Sequence, residues 1–190
     1  KSIKNMIMKK KILITIGVVF LLYVIYAVYG FLTAVPVSPT ATAAYNEGGL
    51  EITVAYSQPS KKGRLIFGEE ADGALQPYGK YWRLGANAAS EITFNKNVTF
   101  GSEPISAGTY RIYAVPESKS FKVTLNSETE VFLGFLEPDY DLDLVTVDAA
   151  VQTTGSEVET FTIDFSDTET GATINFSWDQ TMFSVPVALQ

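Results

Sequence analysis

The residues best equipped for chemistry lie between positions 59 and 87. Pro59–Arg64 and Pro77–Asn87 are two glycine-containing stretches. Together they hold Lys62, Arg64, Lys80 and Arg83, with Tyr78, Tyr81 and Trp82 among them and Asn87 at the end. Guanidinium forks and ammonium groups bind carboxylate or phosphate oxygens, and flat aromatic faces accept a sugar ring. The same cations could instead pair with acids of this chain, and Trp82 could belong to the core. A second group is Asp139, Asp141 and Asp143, which alternate with Tyr140 and Leu142. It would set three carboxylates on one strand face or in one loop, and calcium favours clustered oxygens. The group is a weak calcium candidate, because the EF-hand pattern needs Gly at its sixth position and Glu at its twelfth. Those positions are Leu144 and Ala150 here.

Other chemistries are excluded by composition. The chain has no histidine and no cysteine. A Ser-His-Asp triad, a thiol nucleophile, a disulfide and an imidazole or thiolate metal site therefore cannot be built from it. Paired carboxylates for glycoside hydrolysis carry no specificity among 21 acids unless two face each other at about 5–9.5 Å. The expectation is a protein that is not an enzyme and needs no cofactor.

Charge divides the chain. Five of its 14 basic residues (Lys1, Lys4, Lys9, Lys10 and Lys11) precede position 12, and no acid does. The remaining nine face all 21 acids, a net charge of −12 beyond position 40. That sign argues against nucleic acid and against anionic lipid surfaces as partners.

Residues 12–35 carry no charge and include Tyr23, Tyr26 and Tyr29 at three-residue spacing. A spanning helix needs about 20 such residues. The block predicts a transmembrane helix over 12–35, after a basic tail over 1–11, and Pro36 and Pro39 end it. Because the lysines come first, the positive-inside rule puts the tail in the cytoplasm and the large domain outside, periplasmic or extracellular. The tyrosines form either an interfacial aromatic belt or a face for a partner's helix. A cleaved signal peptide is the rival reading. Lys9–Lys11 before an apolar run and Ala41-Thr42-Ala43 fit one, but the apolar run exceeds the usual 7–15 residues.

The rest must be the scaffold that positions the 59–87 cluster, and its period is two. Ile52, Val54 and Tyr56 alternate with polar residues, as do Ile92 and Phe94, Phe121, Val123 and Leu125, Phe161, Ile163 and Phe165, then Ile174, Phe176 and Trp178, and Phe183, Val185, Val187 and Leu189. Turn-forming residues at 46–49, 59–63, 95–97, 106–108, 116–118 and 169–171 separate these runs. The expected fold is all-β over 46–190, an antiparallel sandwich or a partly closed barrel, with 36–45 as a linker or first edge strand.

The strings Glu51–Gly68, Pro77-Tyr-Gly-Lys-Tyr-Trp-Arg-Leu-Gly-Ala-Asn87, Ile92-Thr-Phe94 and Ala107-Gly-Thr-Tyr110 resemble a bacterial envelope family filed as domain of unknown function 2911, over about residues 37–189. The resemblance implies a β-sandwich-like domain outside the cytoplasm. It implies no activity and no catalytic residues. The chain departs from the family's pattern at Gln58, where an arginine is usual. It departs again in an extra loop at 69–73 and in Phe132-Leu-Gly-Phe135, which replaces a more aromatic stretch.

The expected function is an anchored, non-catalytic accessory subunit of a membrane protein complex in the inner membrane. In that role the tyrosine face docks on a partner. The alternative is an anchored binding module for a carbohydrate or other envelope ligand at Lys62, Arg64, Tyr78, Lys80, Tyr81, Trp82, Arg83 and Asn87.

Overall fold

The computed structural model describes residues 2–33, 38–131, 134 and 136–190, with side chains from residue 8 onward except those of 32 and 33. The chain forms two compact units, divided after Pro36. The first is one helix, α1 (Ser2–Thr33). Its segment Met8–Phe31 is long and apolar enough to cross a membrane, with a mean hydropathy of 2.5. Anchors and signal sequences both have that character.

The second unit is built from strands. These are β1 (Thr40–Glu47), β2 (Leu50–Ser57), β3 (Phe67–Gly68), β4 (Gln76–Pro77), β5 (Ser90–Phe94) and β6 (Val98–Phe100). They continue with β7 (Glu103–Ile105), β8 (Gly108–Pro116), β9 (Ser120–Asn126), β10 (Asp143–Ala150), β11 (Gln152–Thr168) and β12 (Gly171–Leu189). Six strands form one antiparallel sheet in the order β1-β2-β5-β8-β9-β10, and four form a second in the order β11-β12-β6-β7. β3 and β4 make a small parallel pair on their own. The two large sheets pack as a sandwich and do not close into a barrel. Alternate residues of each strand meet in one core, which includes Ile52, Val54, Ile92 and Val123 from the first sheet and Phe161, Phe176, Trp178 and Val185 from the second.

Two features depart from simple alternation. In β8, Arg111, Ile112, Tyr113 and Ala114 are buried in succession. Ile112 and Ala114 enter the core, while the outer face is covered by the connection to β10: Arg111 bonds to Glu128 and Leu136, and Tyr113 to Asp143. With both faces covered, period two disappears from the sequence. The apolar runs at 174–178 and 183–189 belong to one strand, β12; near its Asp179 (φ 56°) the partner strand β11 bulges, with extra residues between Thr153 and Thr162. Residues 40–47 form a full edge strand, with Thr40 opposite Ser57 and Glu47 opposite Leu50.

Candidate functional site

The two stretches singled out in the sequence flank one cleft of about 430 Å³ at an end of the sandwich. Lys62 and Arg64 line it from the loop after β2, and Lys80, Tyr81, Trp82, Arg83 and Asn87 from the loop before β5. Seven of the eight expected residues therefore meet around one space. Tyr78 does not line it; its backbone N–H is spent on the Gly68 carbonyl at 2.9 Å. Ser38, Pro59, Leu75, Glu137 and Trp178 complete much of the wall. Nothing local in the sequence points to Ser38, Glu137 or Trp178, because the fold brings them in from distant segments.

Trp82 corrects one expectation. Its backbone forms an isolated bridge with Ala114, with both N–H···O bonds at 2.8 Å, which draws the residue onto β8. The side chain is 2% exposed. It stacks on Trp178 at 5.9 Å and 23°, and meets Phe67 and Phe161 edge-on. A ring held in this way offers no open face to a sugar. Its indole N–H is buried and has no hydrogen-bond partner among the described residues. Tyr81 is half-buried, and its hydroxyl accepts from Arg111 Nη2 at 2.7 Å and donates to the Gly134 carbonyl at 3.1 Å. Burial raises its pKa, against the nearby Arg111 charge.

Arg83 sits on a constrained loop. Leu84 (φ 51°), Gly85 (φ 151°) and Asn87 (φ 60°) all have positive φ. For a leucine such a conformation costs roughly 1–3 kcal/mol and persists only where neighbours fix it, whereas glycine and asparagine adopt it readily. Here Leu84 is fully buried, and its carbonyl accepts from Ser90 Oγ at 2.8 Å. Asn87 Nδ2 donates to the Ser38 carbonyl at 2.9 Å and to Ser57 Oγ at 3.3 Å. A Cβ on Gly85 would come within 2.7 Å of the Ser57 carbonyl oxygen. The Arg83 guanidinium donates to the Asn87 carbonyl at 2.8 Å across this loop.

The electrostatics set the cleft apart. Two other basic side chains of the domain with little exposure are neutralised. Arg111 is 1% exposed and pairs with Glu128 at 2.6 Å. Lys61 is 16% exposed and pairs with Glu157 at 2.6 Å and Asp179 at 2.8 Å. Half-buried Arg83 has no ion pair among the described residues, and neither do Lys62 and Arg64. Arg64 instead donates to the Lys61 and Ser60 carbonyls, which fix its direction without cancelling its charge. Lys80 reaches Glu70 only at 3.5 Å, with both groups exposed. Glu137 is the single acid on the wall. Burial lowers the Arg83 pKa, so its cation is poorly solvated.

A family described as protein of unknown function (DUF2911) matches residues 38–187. The chain belongs to that family. The matched span takes in the whole sandwich and the cleft, and α1 precedes it. No curated protein and no solved structure matches the chain.

The calcium candidates of this DUF2911 chain are not assembled for a cation. Residues 140–142 form a 3₁₀ turn, so the three aspartates share no strand face. Asp139 caps that turn by accepting from the Asp141 N–H at 3.1 Å. Asp143 accepts from the Tyr113 hydroxyl and from Asn126 Nδ2, both at 2.7 Å. No cluster suited to a metal occurs among the described residues. Tyr23, Tyr26 and Tyr29 all project outward from α1.

Proposed function

We propose that this protein is a non-catalytic binding module for an anionic ligand, held at a membrane by α1. Arg83 carries the reading. It is a half-buried cation without a carboxylate partner, in a domain where acids outnumber bases by 21 to nine and where other well-covered cations are paired. An unpaired, partly desolvated charge is costly unless something of opposite sign is bound. A cleft of this size falls within the range that holds small molecules, about 300–1,000 Å³. Orientation of α1 with its lysine end in the cytoplasm would place the cleft outside.

Calorimetric titration of the full chain in uncharged detergent with inorganic phosphate, citrate and glucuronate tests this. Saturable binding that weakens at least ten-fold in Arg83→Gln is expected. Equal heats for both proteins would overturn it.

A second reading, an accessory subunit, has one observation in its favour. Tyr23 lies eight residues before Phe31, so its Cα is about 12 Å inside the outer end of the apolar segment. Side chains on a helix lean toward its N-terminus, which carries this hydroxyl deeper still. In hydrocarbon a hydroxyl needs an acceptor, and a neighbouring helix would supply one. Purification in mild detergent distinguishes the two: a stoichiometric membrane partner lost in Tyr23→Phe supports the subunit role, and a chain that runs alone removes it.

A further inference from the structure

Net charge conceals how this domain's cations are placed. Four of its nine basic residues, Lys62, Arg64, Lys80 and Arg83, line one cleft against Glu137 alone. Leu65 and Leu75 stand beside them, 46% and 37% exposed. The two are neighbours, because the Leu75 N–H donates to the Leu65 carbonyl at 2.9 Å, and Leu75 itself lines the cleft. Cations next to exposed leucines are what a phospholipid presents partners for: a phosphate, with apolar chains below it.

The connection between α1 and the domain is short. Ser38, on the cleft wall, follows the last helical residue, Thr33, by five residues. Five residues of any conformation reach at most about 18 Å. If α1 spans a membrane, the domain is tethered to that membrane by this short connection.

From the cationic wall, the adjoining leucines and this tether we infer that the cleft takes the phosphate of an anionic phospholipid headgroup from the membrane that holds α1. The inference rests on the anion-binding reading above and names its ligand. One headgroup is seated, and the domain does not adsorb broadly. Glu70 stands 3.5 Å from Lys80, with Glu69 and Asp72 beside it in sequence, and the domain's net charge of −12 disfavours broad adsorption to an anionic surface. The acidic β11–β12 turn, with Asp167 and Glu169, offers an anion no such site.

The test uses the full chain in nanodiscs of phosphatidylcholine with and without phosphatidylglycerol, read by amide hydrogen exchange. Exchange at 61–66 and 78–87 is expected to slow about five-fold or more when phosphatidylglycerol is present. The β11–β12 turn should not change. The protection should vanish near 1 M salt, where the Debye length is about 3 Å. The variant Leu65→Ser alters one exposed side chain that does not line the cleft. It should lose the lipid-dependent protection while still binding inorganic phosphate in phosphatidylcholine discs. Identical exchange in the two discs overturns the lipid assignment. If inorganic phosphate still protects the cleft in that case, the anion-binding reading stands without it; if phosphate also does nothing, both fall.

Discussion

Gly85 gives the sharpest test of how the cleft is held. Its φ of 151° belongs to a region that L side chains rarely enter, and an added Cβ would stand 2.7 Å from the Ser57 carbonyl oxygen. The conformation alone costs an alanine about 1–3 kcal/mol. The contact is with the backbone of Ser57, the last residue of β2, which pairs with Thr40 of β1, so it cannot be relieved by turning a side chain. Gly85→Ala should therefore destabilise the domain by about 3–4 kcal/mol. For a domain of this size that lowers Tm by about 6–15 °C. Gly48→Ala is the control. Its φ of 61° is also left-handed, but nothing lies within 4 Å of the added carbon, so the expected cost is about 1 kcal/mol. Intrinsic fluorescence follows unfolding well, because Trp82 and Trp178 are both in the core. Gly85→Ala should also weaken anion binding, since the loop it shifts is the one that aims Arg83. Equal Tm values for the two variants would refute the claim that a close backbone approach fixes this loop.

Three further expectations follow from the charged and phenolic groups. Arg83→Gln removes one hydrogen bond, to the Asn87 carbonyl, and no ion pair, so urea unfolding should change by no more than about 1 kcal/mol while anion affinity falls. Glu128→Gln leaves the Arg111 guanidinium, 1% exposed, without its counter-charge. Since the Glu128 side chain is itself 36% exposed, the cost should be about 2 kcal/mol, below the 3–5 kcal/mol of fully buried pairs, and a urea midpoint unchanged from the parent would contradict it. Burial and the Asp143 carboxylate push the Tyr113 phenol pKa up, and burial and Glu137 push Tyr140 up to about 12. The unfolded chain releases these protons near pH 10 and the folded one holds them longer, so stability is full below about pH 10 and declines as pH rises above it. Tyr113→Phe should flatten that decline in urea midpoints measured from about pH 9 to 11.5, and an unaltered slope would show that Tyr113 does not contribute to it.

Much of this fold can be read from periodicity, and the parts that cannot have definite causes. β2, β5 and β9 show one wet and one buried face, and their alternation is plain in the sequence. β8 hides because the 127–142 connection covers its outer face, burying Arg111 and Tyr113 beside Ile112 and Ala114. A pattern method has no access to that cover. The cleft was legible in outline, since cations spaced by glycines in two nearby loops must lie near each other. The orientation of Trp82 was not, because it depends on the pairing of residue 82 with residue 114, a contact between segments 32 positions apart. The aspartates at 139–143 misled for a related reason. Strand-like alternation continues through them, yet Asn126 and Tyr113 compete for Asp143 and a 3₁₀ turn breaks the shared face.

The net charge says little about the cleft, because the charges are unevenly placed. An overall charge of −12 describes the field far from the domain, whereas recognition depends on the field within about a Debye length, near 8 Å at physiological salt. On that scale, Arg111 and Lys61 are cancelled by their own carboxylates and contribute little outside. Lys62, Arg64 and Arg83 line one cleft with no ion pair among the described residues: the two guanidinium groups bond to carbonyl oxygens, and Lys62 meets the Glu159 carboxylate through its backbone N–H alone. Carbonyls fix direction and leave the charge in place. Under the proposed anion-binding role, the surplus acids elsewhere would act as a second selector. They disfavour approach of an anion to the rest of the surface and leave the cleft as the favourable place for one. An acidic domain can in this way bind an anion more selectively than a basic one, because the surrounding surface offers no competing sites.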